Sequence, residues 1–189
     1  MGIRAQIHQT QEIAEDERER KEFAARAVLS LALSQLINYA QGCLHFIKDK
    51  QTDTISGDED LPTLEEGVVP SLQDCARYTN KDIASKIWIL LSNLQVQQSR
   101  FRDLADSRTG RSLSENEVLT NSLDAANLYA KTAELFHYAR DEEGMRKLAP
   151  DDRLRSALNN VGFIDADHPA IKYLNDKDKA KDEEDEASG

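Results

Sequence analysis

Between Arg26 and Lys48 this chain runs 21 residues, Ala27 to Ile47, without a formal charge, although 31% of its residues are charged. A bilayer-crossing helix needs about 20 mainly apolar residues, so the first question is whether this stretch crosses. Its content argues against that. Ser30, Ser34, Gln35, Asn38, Gln41 and His45 interrupt it, and a side-chain amide without a partner in hydrocarbon costs on the order of several kcal/mol. The interruptions are also ordered. Ser34, Asn38, Gln41 and His45 are spaced 4, 3, 4 and share one face of a helix, while Leu29, Leu33, Leu36, Ala40, Cys43 and Ile47 are spaced 4, 3, 4, 3, 4 and share another. Two stripes of opposite character predict an amphipathic core helix in a protein bundle, with no membrane span in this chain. Uncharged amides suit partial burial at a helix contact, where they set register. Ser34, Asn38, Gln41 and His45 are therefore the candidate partner-binding residues; the competing reading hydrogen-bonds them inside the bundle.

The flanks are read the same way. Residues 1–22 form a polar helical lead with Asp16–Arg20 and Glu17–Lys21 as acid-to-base pairs at i, i+4, continuous with one long helix over roughly residues 10–48. Residues 49–69 hold Gly57, Pro62 and Gly67 and are expected to be a disordered acidic loop, pinned at Leu61 and Leu64. Ser71 to Ser107 is a second helical unit, with Ser71–Asp74 and Thr79–Asp82 as capping boxes, so either a short turn of helix precedes the long one or one helix runs through. Its seam is Ile83, Ile87, Leu90, Leu94, Gln97, Phe101 and Leu104, widened by Trp88 and Leu91 and ended by Gly110.

A third helix opens on the capping box Ser114–Glu117, with Leu113 and Val118 as its staple. Its seam is Leu119, Leu123, Ala126, Ala130, Ala133 and His137, and Gly144 is its stop. Pro150 starts a short helix reaching Asn160, Gly162 ends it, and Asp167 caps a last one containing Ile171 and Leu174. Ile164 joins the apolar residues that close this end. The expected fold is all-α: one domain over residues 23–175, a bundle of three long helices closed by two or three short C-terminal helices, then a disordered acidic tail over 176–189. Few aromatics, at 6%, and only 8 Gly and 4 Pro agree with helices over sheet.

The net charge of −11 is concentrated. Asp49 to Glu66 is net −6 and Asp176 to Glu186 net −4, which leaves a nearly neutral body. No basic patch offers itself to phosphates, so nucleic-acid binding is not expected. Two cysteines do not make a disulfide framework; Cys43 lies on the apolar seam and reads as a small buried hydrophobe. Met1 to Lys21 is charged throughout and shows no signal peptide, so a cytoplasmic compartment is the default.

Chemistry is sparse. Glu134-Leu-Phe-His137 matches the Glu-x-x-His of carboxylate-bridged di-metal bundles, but those need it twice plus two more Glu. Cys43 and His45 stand roughly 200° apart around a helix and do not chelate together. His8 and His168 lie far off in sequence, and no glycine-rich phosphate loop is present. Arg108 and Arg111 flank Gly110 as a candidate anion site. No catalytic residue, metal or cofactor is expected, and no enzyme.

The charged lead Glu15 to Arg26, then Ala-Arg-Ala-Val-Leu, Leu-Ser-Gln-Leu and Tyr39-Ala40 resemble the segment that follows a membrane anchor in small, uncharacterised bacterial membrane-anchored helical proteins. The likeness covers about a quarter of the chain. It implies a place at the cytosolic face of a membrane and no activity. Two functions are expected to compete: a non-enzymatic interaction or regulatory module acting through helices, by a protein partner or self-association, and an acidic inhibitor or immunity-type protein that covers a basic partner.

Overall fold

The computed structural model describes residues 3–52, 61–107, 112–140, 150–163 and 165–187. The expectations for Arg108, Gly110, Arg111, Gly144, Ile164 and the centre of the acidic loop lie outside these residues. The protein is all-α. Its helices are α1 (Ile3–Thr52), α2 (Val68–Tyr78), α3 (Lys81–Ser107), α4 (Glu115–Ala139), α5 (Pro150–Asn160) and α6 (Pro169–Ala187), and no strand occurs among the described residues.

The neutral stretch is the inner half of α1. Leu29, Leu33, Leu36, Ala40, Cys43 and Ile47 are all fully buried, on the seam their spacing predicted. Upstream, every residue from His8 to Lys21 is exposed. Helical from Ile3 rather than from about residue 10, α1 has 50 residues and is about 75 Å long at 1.5 Å per residue. Its first turns therefore run clear of the body. At the other end it stays helical through Thr52, past the point where a loop was expected. There the backbone N–H of Leu113 donates to the Lys50 carbonyl (3.2 Å), tying that end to the entry of α4.

Residues 61–66 cross back over α1. Leu61 and Leu64 are half-buried against the core, a Cβ placed on Gly42 would lie 3.5 Å from Pro62, and the Gln35 amide donates to the Glu65 carboxylate. The second unit is two helices. Thr79 is extended, and Asn80 caps α3 by accepting from the Ile83 N–H (3.0 Å). Thr79, read as that cap, instead donates its hydroxyl to Tyr138 (2.7 Å) on α4. Ser71 is likewise no cap: it lies inside α2 and donates back to the Gly67 carbonyl (2.8 Å). A short helix thus precedes α3, one of the two alternatives the sequence left open.

The capping box of α4 forms as its residues dictate. Ser114 Oγ accepts from the Glu117 N–H (3.4 Å), the Ser114 N–H donates to Glu117 Oε2 (2.9 Å), and Leu113 and Val118 are buried beside it. The central element, however, is α4 rather than α1. It packs on α1, α3, α5 and α6, while α2 bridges α1 and α3. A helix covered on several sides buries more than one stripe. Asn121, Ser122, Ala125, Leu128, Thr132 and Leu135 are buried off the expected seam, and Leu119, Leu123 and Ala133 on it are only half-buried.

α5 ends in a left-handed turn. Gly162 has φ +80°, Phe163 N–H donates to the Leu158 carbonyl (3.0 Å) and Gly162 N–H to that of Asn159 (2.9 Å), the hydrogen-bond pair of a Schellman stop. The cap of α6 is His168, not Asp167: its Nδ1 accepts from the Ala170 N–H (3.3 Å). α6 itself continues to Ala187, through the segment expected to be a disordered tail. Ala170, Ile171 and Leu174 bury its first turns, Arg155 of α5 reaches Asn175 and Asp178, and Lys177 pairs with Asp151 (2.8 Å). Beyond them, Lys179 and Lys181 stand three and four residues before acids, which favours helix without burial.

Candidate protein-interaction faces

With the seam of α1 turned inward, the opposite face is left to solvent. Ser34, Asn38 and His45 are exposed and Gln41 is half-buried. The hydroxyl of Ser34 donates to the Ser30 carbonyl of its own helix (2.9 Å). Among the described residues no other helix covers Ser34, Asn38 or His45, and the amides of Asn38 and Gln41 make no hydrogen bond inside the bundle, so the expectation that they do is not met there. The face also extends further than the polar residues suggested. Ala27 and Leu31 are exposed on the same line, Leu31 at 61%, so Ala27, Leu31, Ser34, Asn38, Gln41 and His45 follow one another at 4, 3, 4, 3, 4. The strip is uncharged along its whole length.

The inner face of α1 is taken up by the core. A window of α1 has a mean hydropathy of 1.2, enough by length and composition to cross, and 44% of it is buried inside the fold. Cys43 and Tyr39 hydrogen-bond to each other within that packing. Burial pushes the Cys43 thiol up to about 12 against that bond, and burial, then Cys43, pushes the Tyr39 phenol above its usual range. A thiol held protonated is a poor nucleophile.

A second uncharged face lies on α3, and sequence reasoning missed it. Trp88 was expected to widen the buried seam, yet it is 50% exposed, with Ile89 and Val96 also outward. Its position one residue past Ile87 turns it about 100° away from the seam. The available signal was the charge-free run Ile87 to Ser99, which is long enough to neutralise the outward side of a helix as well as the inward one.

The remaining candidates are dispersed or engaged. Glu134 accepts from Lys86 (2.7 Å) and Arg153 (2.6 Å), joining α3, α4 and α5. Burial alone raises its pKa, but those two cations hold the carboxyl below its usual value. His137 is half-buried on α4. His8 is exposed beside Glu12 (3.3 Å), and His168 is buried against Phe163, its pKa lowered by that burial. Among the described residues no three His, Cys, Asp or Glu side chains gather as metal ligands.

No protein-family model, curated protein or solved structure matches this chain. Its function has to be read from its own surface.

Proposed function

We propose that this protein is a non-enzymatic, cytosolic interaction or regulatory module. In this reading it binds a protein partner, or a second copy of itself, through the outward face of α1. Ser34, Asn38, Gln41 and His45 are the contact residues, with Leu31 beside them. The observation that carries this reading is the uncovered strip itself: uncharged residues at coiled-coil spacing, on a helix whose opposite face is fully packed. Three long helices, α1, α3 and α4, frame the bundle and the short C-terminal helices close it, so the strip is presented on a rigid support. The face holds no cations to meet nucleic acid, and the apolar seam of α1 is already committed to the core. The resemblance of residues 3–44 adds a position at the cytosolic face of a membrane.

Asn38→Asp tests the reading, because it charges the strip without touching the core. The expected result is an unchanged melting temperature together with loss of concentration-dependent association in sedimentation velocity, or loss of a captured partner. A wild type that stays monomeric, with any partner binding the variant equally well, would show that the strip is ordinary solvated surface.

The acidic-inhibitor reading is favoured by one observation, the exposed carboxylates of Asp176, Asp178 and Glu183 along α6. Deleting residues 180–189 separates the two. Partner binding that survives the deletion removes the motive for an acidic inhibitor.

A further inference from the structure

The α2–α3 hairpin carries a cleft of about 450 Å³ that the α1 face does not use. Val69 and Gln73 on α2 form one wall, and Trp88, Leu91 and Gln95 on α3 form the other. Spacings of 3 and 4 place these α3 residues on one ridge, so the cleft is built on rigid helices. Its volume lies in the usual range for small-molecule sites.

The composition of the lining selects the ligand. None of its side chains is charged, in a chain where 31% of residues are. A charged ligand would lose hydration there and gain no counter-ion. Trp88 is half-exposed at the cleft and offers an indole surface for stacking. Around it stand the amides of Gln73, Gln95 and Gln98, which make no hydrogen bond to other described residues. A carboxamide presents a donor and an acceptor side by side, the arrangement that pairs with the edge of a nitrogen heterocycle. Val69 and Leu91 supply the apolar floor.

The geometry points to this cleft as a binding site for a flat, uncharged heteroaromatic molecule of purine size, stacked on Trp88 and held at its edge by the glutamine amides. This assignment stands apart from the docking role of α1 and fails or succeeds separately.

Trp88 is the only tryptophan in the chain, so its fluorescence reports the site directly. Adenine and adenosine monophosphate are titrated as probes into the full chain. Adenine is expected to quench Trp88 saturably. Gln73→Leu and Gln95→Leu are each expected to weaken it roughly three- to tenfold, the loss of about one hydrogen bond. Ser92→Phe, on the exposed rim of the cleft, is expected to fill it and abolish saturation. Circular dichroism and melting confirm that each variant folds. The monophosphate should bind no tighter than adenine, since no cation lines the cleft. Three results overturn the proposal: quenching that rises linearly without saturating, as for a cleft made to take a partner's helix; saturable quenching indifferent to all three substitutions; or a monophosphate bound tenfold more tightly than the base.

Discussion

At the scale of single residues, Gln97 is the place where pattern and packing disagree. It occupies an apolar position in the seam of α3, and the fold keeps it there, 1% exposed. Among the described residues neither atom of its amide has a partner, and Ser122 Oγ and Asn121 Oδ1 on α4 are buried without one as well. An unsatisfied buried polar group costs about 1–3 kcal/mol, whereas an apolar group of the same shape escapes that cost. Gln97→Met keeps the length of the side chain and removes both orphan atoms. Urea denaturation is expected to show the variant more stable than wild type by about 1–3 kcal/mol. A destabilised variant would mean that a buried water completes the hydrogen bonds of this amide.

Among the elements, α4 does the joining, and Glu134 is its clearest linkage. Lys86 brings α3 to it and Arg153 brings α5. The carboxyl is depressed in the folded protein from an ordinary 4.5. A depressed acid stabilises the fold above its unfolded pKa, and that stabilisation disappears as the pH falls through the folded value. Glu134→Gln is therefore expected to cost about 1 kcal/mol or less at pH 7, the scale of partly exposed ion pairs. The gap between variant and wild type should close as the pH is lowered below 4.5 towards the folded pKa. Melting curves at pH 7 and pH 3 measure it. A gap equally wide at both would assign the effect to packing rather than charge.

For the whole molecule, the decisive competition is between bundle and bilayer for the same seam. α1 is apolar enough to cross a membrane, but Leu29, Leu33, Leu36, Leu44 and Ile47 are fully buried by the rest of the chain. Releasing them means exposing the matching faces of α2 and α4. The net charge of −11 adds repulsion from anionic lipid. In a flotation assay with neutral and with anionic vesicles, the folded chain is expected to stay in the soluble fraction. Co-flotation of a chain that keeps its native melting transition would show that a folded surface, not the seam, meets lipid.

Local rules were enough to read several features from the residues alone. The buried seam of α1 followed from its spacing, the capping box at Ser114 from four residues, and the span and stop of α5 from Pro150 and Gly162. Each is decided within one or two helical turns, by side chains that meet their own backbone or line up on one face. Tertiary structure decided the rest. Which helix becomes the hub depends on how many neighbours reach it, and α4 is covered on several sides although its sequence shows one stripe. Whether the stripe from Ser34 to His45 is covered depends on which helices arrive; α2 and α4 pack on α1, and the residues of α1 that are fully buried are those of the seam. Trp88 faces outward because a seam is a direction, and a residue 100° from it is buried only if another element comes to that side. The cleft beside it exists only because α2 folds back on α3, bringing Val69 and Gln73 to residues some 20 positions away in sequence.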